Sequence, residues 1–418
     1  MLVTISPSDI SGTIVASPSK SHAQRAIALA ALAHGTTTLS GIGSSDDVQS
    51  AIKVAEAMGA QVIPSEDAVN ITGGDTLHAN TWHCGESGLC LRMFSAIAAL
   101  YDTEMILSAH GTLSARPVDF MADTFHQLGV TFSSNRGLPP VHIKGPYSRN
   151  TALIDGTGGS QFLTGLLMAL PLLQQDSTIS VHHLKSKPYI DLTLSTIKEF
   201  GVSIFHESYE TFHIPGGQHY QPATLRIQGD WSGMAFLLVG AALSGEVRIT
   251  GLPDPVSQAD GRILEALELC GATIQFDDDQ VIASHNELRA FEFDCTHCPD
   301  LFPPLAALAA HCKGISRISG VHRLKSKESD RGFVLLNEFR KLGVRIWQEE
   351  DVLFVEGGEV MGGSTESHHD HRIAMALAVT ALKANSPVTI SGSECVTKSY
   401  PNFFEDLASL GGKVGSKN

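Results

Sequence analysis

The stretch SKSHAQRAIALAALAHGTTTLSGI, residues 19–42, carries the pattern that decides the fold. It opens with small, polar and basic residues and continues as a segment rich in Ala and Leu. It then turns at Gly35 and ends in the β-branched run TTTLS. A helix that is apolar on all sides is buried, and a short β-branched run after a glycine turn is typical of a strand. The stretch therefore predicts a buried helix followed by a strand.

The same pattern returns along the chain, at residues 86–109, 159–183, 230–252, 298–321 and 369–393. Successive copies begin about 70 residues apart, a longer period than that of the regular solenoids. A second, amphipathic helix is predicted after each copy, and each of these helices stops at a glycine that can take the left-handed conformation. These glycines are Gly59, Gly129, Gly201, Gly271, Gly343 and Gly411.

Six such units predict an α+β fold of two similar domains, each built from three repeated helix and strand units. The polar, turn-rich stretch 216–230 lies between the third and fourth units and is the best internal boundary. The strand before Lys20 could pair with the second half of the chain. We therefore expect one domain of residues 1–18 plus 228–418 and another of residues 19–227, joined by a double hinge, with the active site in the cleft between them.

Composition limits the classes of function. The chain has 418 residues, of which 43% are hydrophobic and 17% charged, and a formal net charge of −15. These values indicate a globular protein and argue against nucleic-acid or anionic-membrane partners, which gain nothing from added negative charge. Seven cysteines, with no apolar leader, favour free thiols and a cytoplasmic location. The motif CTHC at residues 295–298 has no second CxxC partner, so we do not favour a zinc site there.

The openings of the buried helices concentrate polar and basic side chains. The first amides of a helix are unpaired and carry partial positive charge, so such ends bind anions, more strongly when Lys or Arg is added. If these ends converge, they form an anion-binding cleft. The residues at the openings are Lys20, Ser21, Arg25, Ser87, Gly88, Arg92, Gly159, Ser160, Gln161, Asp300, Asp370, His371 and Arg372.

The segment HHDHR, residues 368–372, looks at first like a metal site. Its histidines do not follow the i, i+4 spacing of a helical metal motif with a downstream carboxylate. They lie instead at the start of a predicted helix. An anion site, helix capping and a metal site all remain open from the residues alone, and the spacing favours the anion site.

Several motifs occur together in one order: SKSHAQRAIALAALAHGTTTL, SDDV, ARPVD, SQFLTGLLMALPL, SKPYIDLTL, KESDR, DHRIAMALA and TKSYPNFFEDL. In these the chain resembles the 5-enolpyruvylshikimate-3-phosphate synthase family of enolpyruvyl transferases. The resemblance implies two inside-out, barrel-like α/β domains of three repeats each. It also implies transfer of enolpyruvyl from phosphoenolpyruvate to the 5-hydroxyl of shikimate 3-phosphate, on the way to chorismate and aromatic amino acids. Phosphate is released, without a metal, a cofactor or a covalent enzyme intermediate. From the resemblance we also expect the protein to be a monomer and a target of glyphosate.

The resemblance also assigns roles by matching motif. Asp300 would take the hydroxyl proton, and Glu328 and Lys20 would serve the other proton transfers. Shikimate 3-phosphate would be held by Lys20, Ser21, Arg25, Ser160, Gln161, Ser186, Tyr189, Asp300, Arg323 and Lys327. Phosphoenolpyruvate would be surrounded by Lys20, Gly88, Arg116, Gln161, Arg331, His371, Arg372 and Lys398.

The chain departs from the family pattern at a few positions. The loop ESGLC has Glu86 and Leu89 where the family commonly has Asn and Thr. Gly159 replaces one member of a Ser pair, and Arg323 stands where some members have Asn. A carboxylate at position 86 would repel a phosphate unless a cation neutralised it or it pointed away. These departures bear on phosphoenolpyruvate affinity and on the response to glyphosate.

Two alternatives compete with this interpretation. UDP-N-acetylglucosamine enolpyruvyl transferases share the fold but carry a reactive cysteine at the position of Gly111, and KESDR with DHR favours the shikimate enzyme. A non-catalytic, anion-binding homologue should have lost chemical residues. Lys20, Asp300, Glu328 and Lys398 are all present.

Overall fold

The computed structural model describes residues 1–74, 76–325 and 327–417. The chain divides into two compact units, and each is described by itself. One unit, called here the split unit, combines Met1–Ser17 with Gly229–Asn418. The other, the continuous unit, is Pro18–Gln228.

The chain begins with two strands of the split unit, β1 (Leu2–Ser6) and β2 (Ile10–Val15). The continuous unit follows with α1 (Lys20–Leu32), β3 (Thr36–Ser40), α2 (Asp46–Met58), β4 (Gln61–Pro64), β5 (Ala68–Thr72), β6 (Thr81–His83), α3 (Gly88–Ala98), β7 (Glu104–Ser108), α4 (Ala122–Gln127), β8 (Thr131–Asn135), β9 (Leu138–Lys144), β10 (Thr151–Asp155), α5 (Gln161–Ala169), β11 (Ser177–His182), α6 (Lys187–Glu199), β12 (Phe205–Glu207), β13 (Thr211–Ile214) and β14 (Thr224–Arg226).

The remainder of the split unit holds α7 (Trp231–Ser244), β15 (Gly245–Thr250), α8 (Ile263–Cys270), β16 (Thr273–Asp277), β17 (Gln280–Ser284), β18 (Glu292–Asp294), α9 (Phe302–Ala309), β19 (Gly314–Ser319), α10 (Arg331–Lys341), β20 (Arg345–Glu349), β21 (Val352–Gly357), β22 (Gly363–Glu366), α11 (His371–Ala381), β23 (Val388–Ser391), α12 (Phe403–Ser409) and β24 (Lys413–Lys417).

The sheets show the repeat directly. Each unit holds three four-stranded sheets: β14-β3-β5-β4, β6-β7-β9-β8 and β10-β11-β13-β12 in the continuous unit, and β2-β15-β17-β16, β18-β19-β21-β20 and β22-β23-β1-β24 in the split unit. In every sheet the first two strands are parallel and the remaining pairs antiparallel. The N-terminal strands fill two places in the split unit, where β1 lies between β23 and β24 and β2 pairs with β15.

The first helix of each repeat forms the core of its unit. In α7 and α11 every residue is buried, and α3 is buried along its whole length. Strands such as β3 and β7 bury alternate residues and leave the others partly exposed, so the sheets lie outside the helices. Fold class and inside-out arrangement are therefore as expected, although the strands form separate open sheets rather than a closed barrel.

The six predicted glycines end the second helices as expected. Their φ angles are all positive, from 72° at Gly129 to 108° at Gly59. A side chain with a Cβ is strained in this conformation, so glycine is the residue that releases each amphipathic helix into its strand. Within the described residues, no helix has the length and apolar character needed to cross a membrane.

Candidate functional site

The buried helices begin with side chains that cap their first amides. In the continuous unit Ser19 accepts a hydrogen bond from the amide of His22 at 3.4 Å, and Ser87 accepts one from that of Cys90 at 3.3 Å. In the split unit Asp370 accepts from the amide of Arg372 at 3.0 Å. These caps fix where each helix starts. They explain why the polar residues of the sequence copies lie at helix openings.

The split unit places Arg331 at the centre of a buried ionic cluster. Its guanidinium donates through Nε to Asp370 Oδ2 at 2.8 Å, through Nη1 to Asp300 Oδ1 at 2.7 Å and through Nη2 to Glu328 Oε2 at 2.5 Å. The Arg331 side chain is only 1% exposed. A guanidinium presents its donors in a fixed fork, so three carboxylates around it are held in a defined geometry.

Asp300 is the second centre of this cluster. Besides Arg331, it is contacted by Lys327 Nζ at 3.1 Å and by Arg372 Nη2 at 3.1 Å. Burial would raise the pKa of the Asp300 carboxyl, but Arg372, Lys327 and Arg331 together hold that pKa well below its usual range. Asp300 is therefore ionised at neutral pH, the state that a proton acceptor must have, although the same three cations make it a weaker base.

Glu328 links this cluster to the C-terminal part of the unit. Its Oε1 lies 3.8 Å from Lys398 Nζ, and both side chains are mostly buried. The cluster thus contains the cations Lys327, Arg331, Arg372 and Lys398 against the carboxylates Asp300, Glu328 and Asp370. Four cations gathered in one place, in a chain whose net charge is −15, suit an anionic ligand.

A further buried carboxylate, Asp260, lies close enough to Asp300 and Arg372 to interact with their charges. Burial, reinforced by the charge of Asp300, raises the pKa of Asp260 to about 6. The Ser232 hydroxyl donates to Asp260 Oδ2. Asp260 lies at the start of one of the predicted second helices, but its place beside this cluster was not predicted from the sequence.

Two predicted residues of the split unit lie at the border of the cluster. Arg323 donates to the backbone carbonyl of Thr296 at 2.7 Å. His371 is the first residue of α11 and is fully buried, with Nδ1 3.9 Å from Asp370 Oδ1. His368, from the same HHDHR segment, contacts Glu338 at 2.8 Å. Among the described residues there is no group of three or more His, Cys, Asp or Glu side chains able to hold a metal ion.

In the continuous unit, Lys20 forms an ion pair that sequence reasoning had not assigned. Its Nζ lies 2.9 Å from Asp47 Oδ2, and the two side chains are 14% and 7% exposed. Asp47 belongs to the SDDV motif at the start of α2, and this motif is the sequence feature from which the ion pair could have been predicted. The pair keeps the ammonium group of Lys20 at the opening of α1.

Arg25 lies one turn further along α1 and joins α1, α5 and α6, with its contact to α5 made by Nη2, which donates to Thr164 Oγ1 at 3.4 Å. Its Nε donates to Thr193 Oγ1 at 2.9 Å, and its Nη1 to the carbonyl of Ser21 at 2.8 Å. The guanidinium also lies 5.9 Å from the centre of the Tyr189 ring. Burial lowers the pKa of Arg25 to about 10, so it stays charged at neutral pH. Ser186 precedes α6 in a left-handed conformation, and Ser160 precedes α5.

A second cationic group surrounds the first residue of α3. A Cβ added to Gly88 would lie 2.9 Å from Arg116 Nη1 and 3.3 Å from Arg92 Nη1, so both guanidinium groups lie against this helix start. Arg92 is fixed by Gln161, whose Oε1 accepts from Nη1 at 2.6 Å. The Arg116 side chain is 8% exposed, and within the described part of the chain its Nε has no hydrogen-bond partner. Helix amides and two arginines together form a site for an anion.

The departures from the family pattern have local structural reasons. Glu86 Oε2 accepts hydrogen bonds from the amide of Thr112 at 3.2 Å and from its hydroxyl at 2.9 Å. Leu89 is 7% exposed and packs in the hydrophobic core. Gly159 has a φ of 107°, a conformation that serine would adopt only with strain. The expected repulsion from Glu86 is thus offset by the hydrogen bonds of a neighbouring turn.

Comparison with known proteins relates this architecture to a single class. The EPSP synthase from Acinetobacter baumannii superposes over 100% of both chains with a TM-score of 0.83 at 25% identity. The enolpyruvyl transferase NikO from Streptomyces tendae shares the fold, with a TM-score of 0.78 over 99% of this chain and 98% of that one, at 19% identity. The fold is thus that of the enolpyruvyl transferases.

Sequence comparison shows to which family of enolpyruvyl transferases the chain belongs. The family model of EPSP synthase (3-phosphoshikimate 1-carboxyvinyltransferase) matches residues 5–407. The 3-phosphoshikimate 1-carboxyvinyltransferase of Clostridium kluyveri is 35% identical over 99% of this chain and 98% of its own length. That of Escherichia coli O6:H1 is 35% identical over 96% of each. The chain belongs to the EPSP synthase family.

Proposed function

We propose that this protein is an enzyme that transfers the enolpyruvyl group of phosphoenolpyruvate to the 5-hydroxyl of shikimate 3-phosphate and releases phosphate. The observation that carries the proposal is the contact of Asp300 with Lys327, Arg331 and Arg372. These contacts hold an ionised carboxylate, the proposed general base, inside a field of fixed cations. Both substrates carry a phosphate and a carboxylate, so their binding and their proton transfers need that combination.

The reaction proceeds by addition and elimination. The 5-hydroxyl oxygen forms a bond to C2 of phosphoenolpyruvate while Asp300 takes the hydroxyl proton and the C3 methylene gains a proton. In the second step the C2–O bond to phosphate breaks, and one proton leaves the new methyl group to restore the double bond. Lys20 and Glu328 serve the proton transfers at C3 and at the leaving phosphate.

Each substrate is assigned a set of side chains by matching motif. Shikimate 3-phosphate is held by Lys20, Ser21, Arg25, Ser160, Gln161, Ser186, Tyr189, Asp300, Arg323 and Lys327. Phosphoenolpyruvate is held by Lys20, Gly88, Arg116, Gln161, Arg331, His371, Arg372 and Lys398. The buried arginines of each unit support these assignments, because guanidinium groups match phosphate and carboxylate geometry.

The surroundings of the reaction are part of the proposal. The protein works as a monomer in the cytoplasm, without a cofactor, a nucleic-acid partner or a membrane partner. Its net charge of −15 supports the lack of polyanionic partners. Glyphosate acts on it at the phosphoenolpyruvate site.

A phosphate-release assay tests the reaction. Phosphate should appear only when phosphoenolpyruvate and shikimate 3-phosphate are both present, and mass spectrometry should find shikimate 3-phosphate enlarged by one enolpyruvyl group. Replacing shikimate 3-phosphate by UDP-N-acetylglucosamine should give no phosphate. Turnover with UDP-N-acetylglucosamine would refute the proposal. So would a protein that binds its ligands but turns over neither acceptor.

A further inference from the structure

Glu86 bridges two loops of the continuous unit. It follows β6 and directly precedes Ser87, the capping residue of α3. The backbones of the two loops are already joined, because the amide of His110 donates to the carbonyl of Gly85 at 3.0 Å. The carboxylate of Glu86 adds two hydrogen bonds from Thr112, through its amide and its hydroxyl. Glu86 thus fixes the start of the 3₁₀ turn Gly111–Ala115.

The shape of this turn depends on a glycine opposite the carboxylate. Gly111 has a φ of 54°, and a Cβ built there would lie 1.9 Å from Glu86 Oε1 and 2.2 Å from its Cδ. No side chain at position 111 could coexist with the present position of Glu86. Glu86 and Gly111 are therefore a matched pair.

The turn ends at Arg116, the arginine of the anion site at α3. The amide of Arg116 donates to the carbonyl of Leu113 at 3.1 Å, so the backbone of Arg116 is hydrogen-bonded to the turn. Its guanidinium lies against Gly88, the first residue of α3. The Glu86 side chain thus connects the start of α3, by hydrogen bonds, to the turn that ends at Arg116.

We propose that Glu86 is a positioning residue that holds the Gly111–Ala115 turn so that Arg116 lies over the start of α3, and thereby sets the affinity for phosphoenolpyruvate. This inference rests on the proposed function, since it assigns the anion at α3 to that substrate. In this role Glu86 acts through the turn and not by contact with the anion. Its carboxylate accepts hydrogen bonds from the Thr112 amide and hydroxyl, and hydrogen bonds to a charged group are among the stronger ones.

The test uses Glu86→Ala, Glu86→Gln, Arg116→Ala and the double variant Glu86→Ala with Arg116→Ala. Glu86→Ala should raise the Michaelis constant for phosphoenolpyruvate about tenfold, or about 1.4 kcal/mol, while kcat and the constant for shikimate 3-phosphate stay within about twofold. Glu86→Gln keeps an acceptor of the same shape and should restore most of the affinity. The double variant should bind no worse than Arg116→Ala alone, because the two residues act as one unit.

Glu56→Gln, on the exposed side of α2, is the matched control and should behave as the wild type. Unchanged kinetics in Glu86→Ala, or additive losses in the double variant, would overturn the positioning role. If Glu86→Ala fails to fold, Thr112→Val takes its place, since it removes only the hydroxyl donor and should raise the same Michaelis constant by a smaller factor.

Calorimetric titration with phosphoenolpyruvate separates this inference from the proposed function. The wild type could bind phosphoenolpyruvate without turning it over, and Glu86→Ala could bind it more weakly. This result would support the positioning role and refute the proposed reaction. Equal binding by the two proteins would overturn the positioning role and leave the reaction standing. No binding by either would overturn the assignment of this site to phosphoenolpyruvate.

Discussion

Arg331 and Asp370 are joined at two points. Nε donates to Oδ2 at 2.8 Å and Nη2 to Oδ1 at 3.3 Å, and the two side chains are 1% and 0% exposed. Asp370 also caps α11 through the amide of Arg372. One carboxylate therefore fixes a buried guanidinium and the helix start that carries the next arginine.

Asp370→Asn should be destabilising. It removes one of the three carboxylates around the buried Arg331, which keeps its contacts with Asp300 and Glu328, so the cost should be about 1–3 kcal/mol rather than that of a fully unpaired buried charge. Urea unfolding should show this loss, and kcat/KM should fall because Arg331 and Arg372 are both displaced. The control is Glu356→Gln, which breaks the exposed pair with Arg345 and should cost about 0–1 kcal/mol. Equal losses in the two variants would contradict the role of Asp370.

Lys20→Met should reduce turnover far more than Lys53→Met. Lys20 is mostly buried beside Asp47 and is assigned to proton transfer, whereas Lys53 is exposed on α2. Loss of one transition-state contact is worth roughly 2.7–4 kcal/mol, or about a hundred- to a thousand-fold in kcat. Steady-state kinetics of both variants provide the measurement. Similar kinetics would show that the opening of α1 takes no part in the reaction.

Asp260 should make the protein less stable as pH rises between about 4 and 6. Its pKa is raised to about 6 in the folded state, from an ordinary value of 3.8. In that window the folded protein holds a proton that the unfolded chain has released, so raising the pH favours unfolding. The stability linked to this proton is fully present below about 4 and lost above about 6, a difference of roughly 3 kcal/mol.

Chemical unfolding at several pH values tests this sign. Asp260→Asn cannot titrate, so its free energy of unfolding should rise relative to that of the wild type between about pH 4 and 6. Asp277→Asn, at an exposed position of β16, is the control and should follow the wild type. Parallel profiles for wild type and Asp260→Asn would contradict the raised pKa.

Turnover should not depend on a metal ion. The developing charges are matched by Lys and Arg side chains, and the His368 side chain is engaged by Glu338. Protein treated with EDTA and freed of metal should keep its full activity. A loss that Mg²⁺ or Zn²⁺ restores would show that a metal takes part.

Local patterns were enough to predict the repeats and the helix openings. Caps such as Ser87 and Asp370, and terminal glycines such as Gly59, depend on neighbours within a few residues, so the sequence shows them. The contact of Glu86 with Thr112 joins residues 26 apart, and Asp260 lies among residues from several repeats. Such contacts depend on how the elements pack, and a single sequence does not show them.

Gly88→Ala should weaken both phosphoenolpyruvate and glyphosate. A Cβ at position 88 would meet Arg116 Nη1 at 2.9 Å and Cζ at 3.3 Å, so the guanidinium must shift away from the helix start. Glyphosate is proposed to occupy the phosphoenolpyruvate site, and its inhibition constant should rise with the Michaelis constant for that substrate.

The loop around Gly88 also allows a matched comparison. Leu89 is buried in the core and Glu86 is bound to Thr112, so we expect both departures to serve structure. The double change Glu86→Asn with Leu89→Thr should therefore not make the protein more sensitive to glyphosate relative to phosphoenolpyruvate. Inhibition constants for wild type, the double variant and Gly88→Ala provide the measurement. A large gain in sensitivity from the double change would show that Glu86 or Leu89 acts on the inhibitor directly. Equal inhibition constants for wild type and Gly88→Ala would show that the anion does not bind at the start of α3.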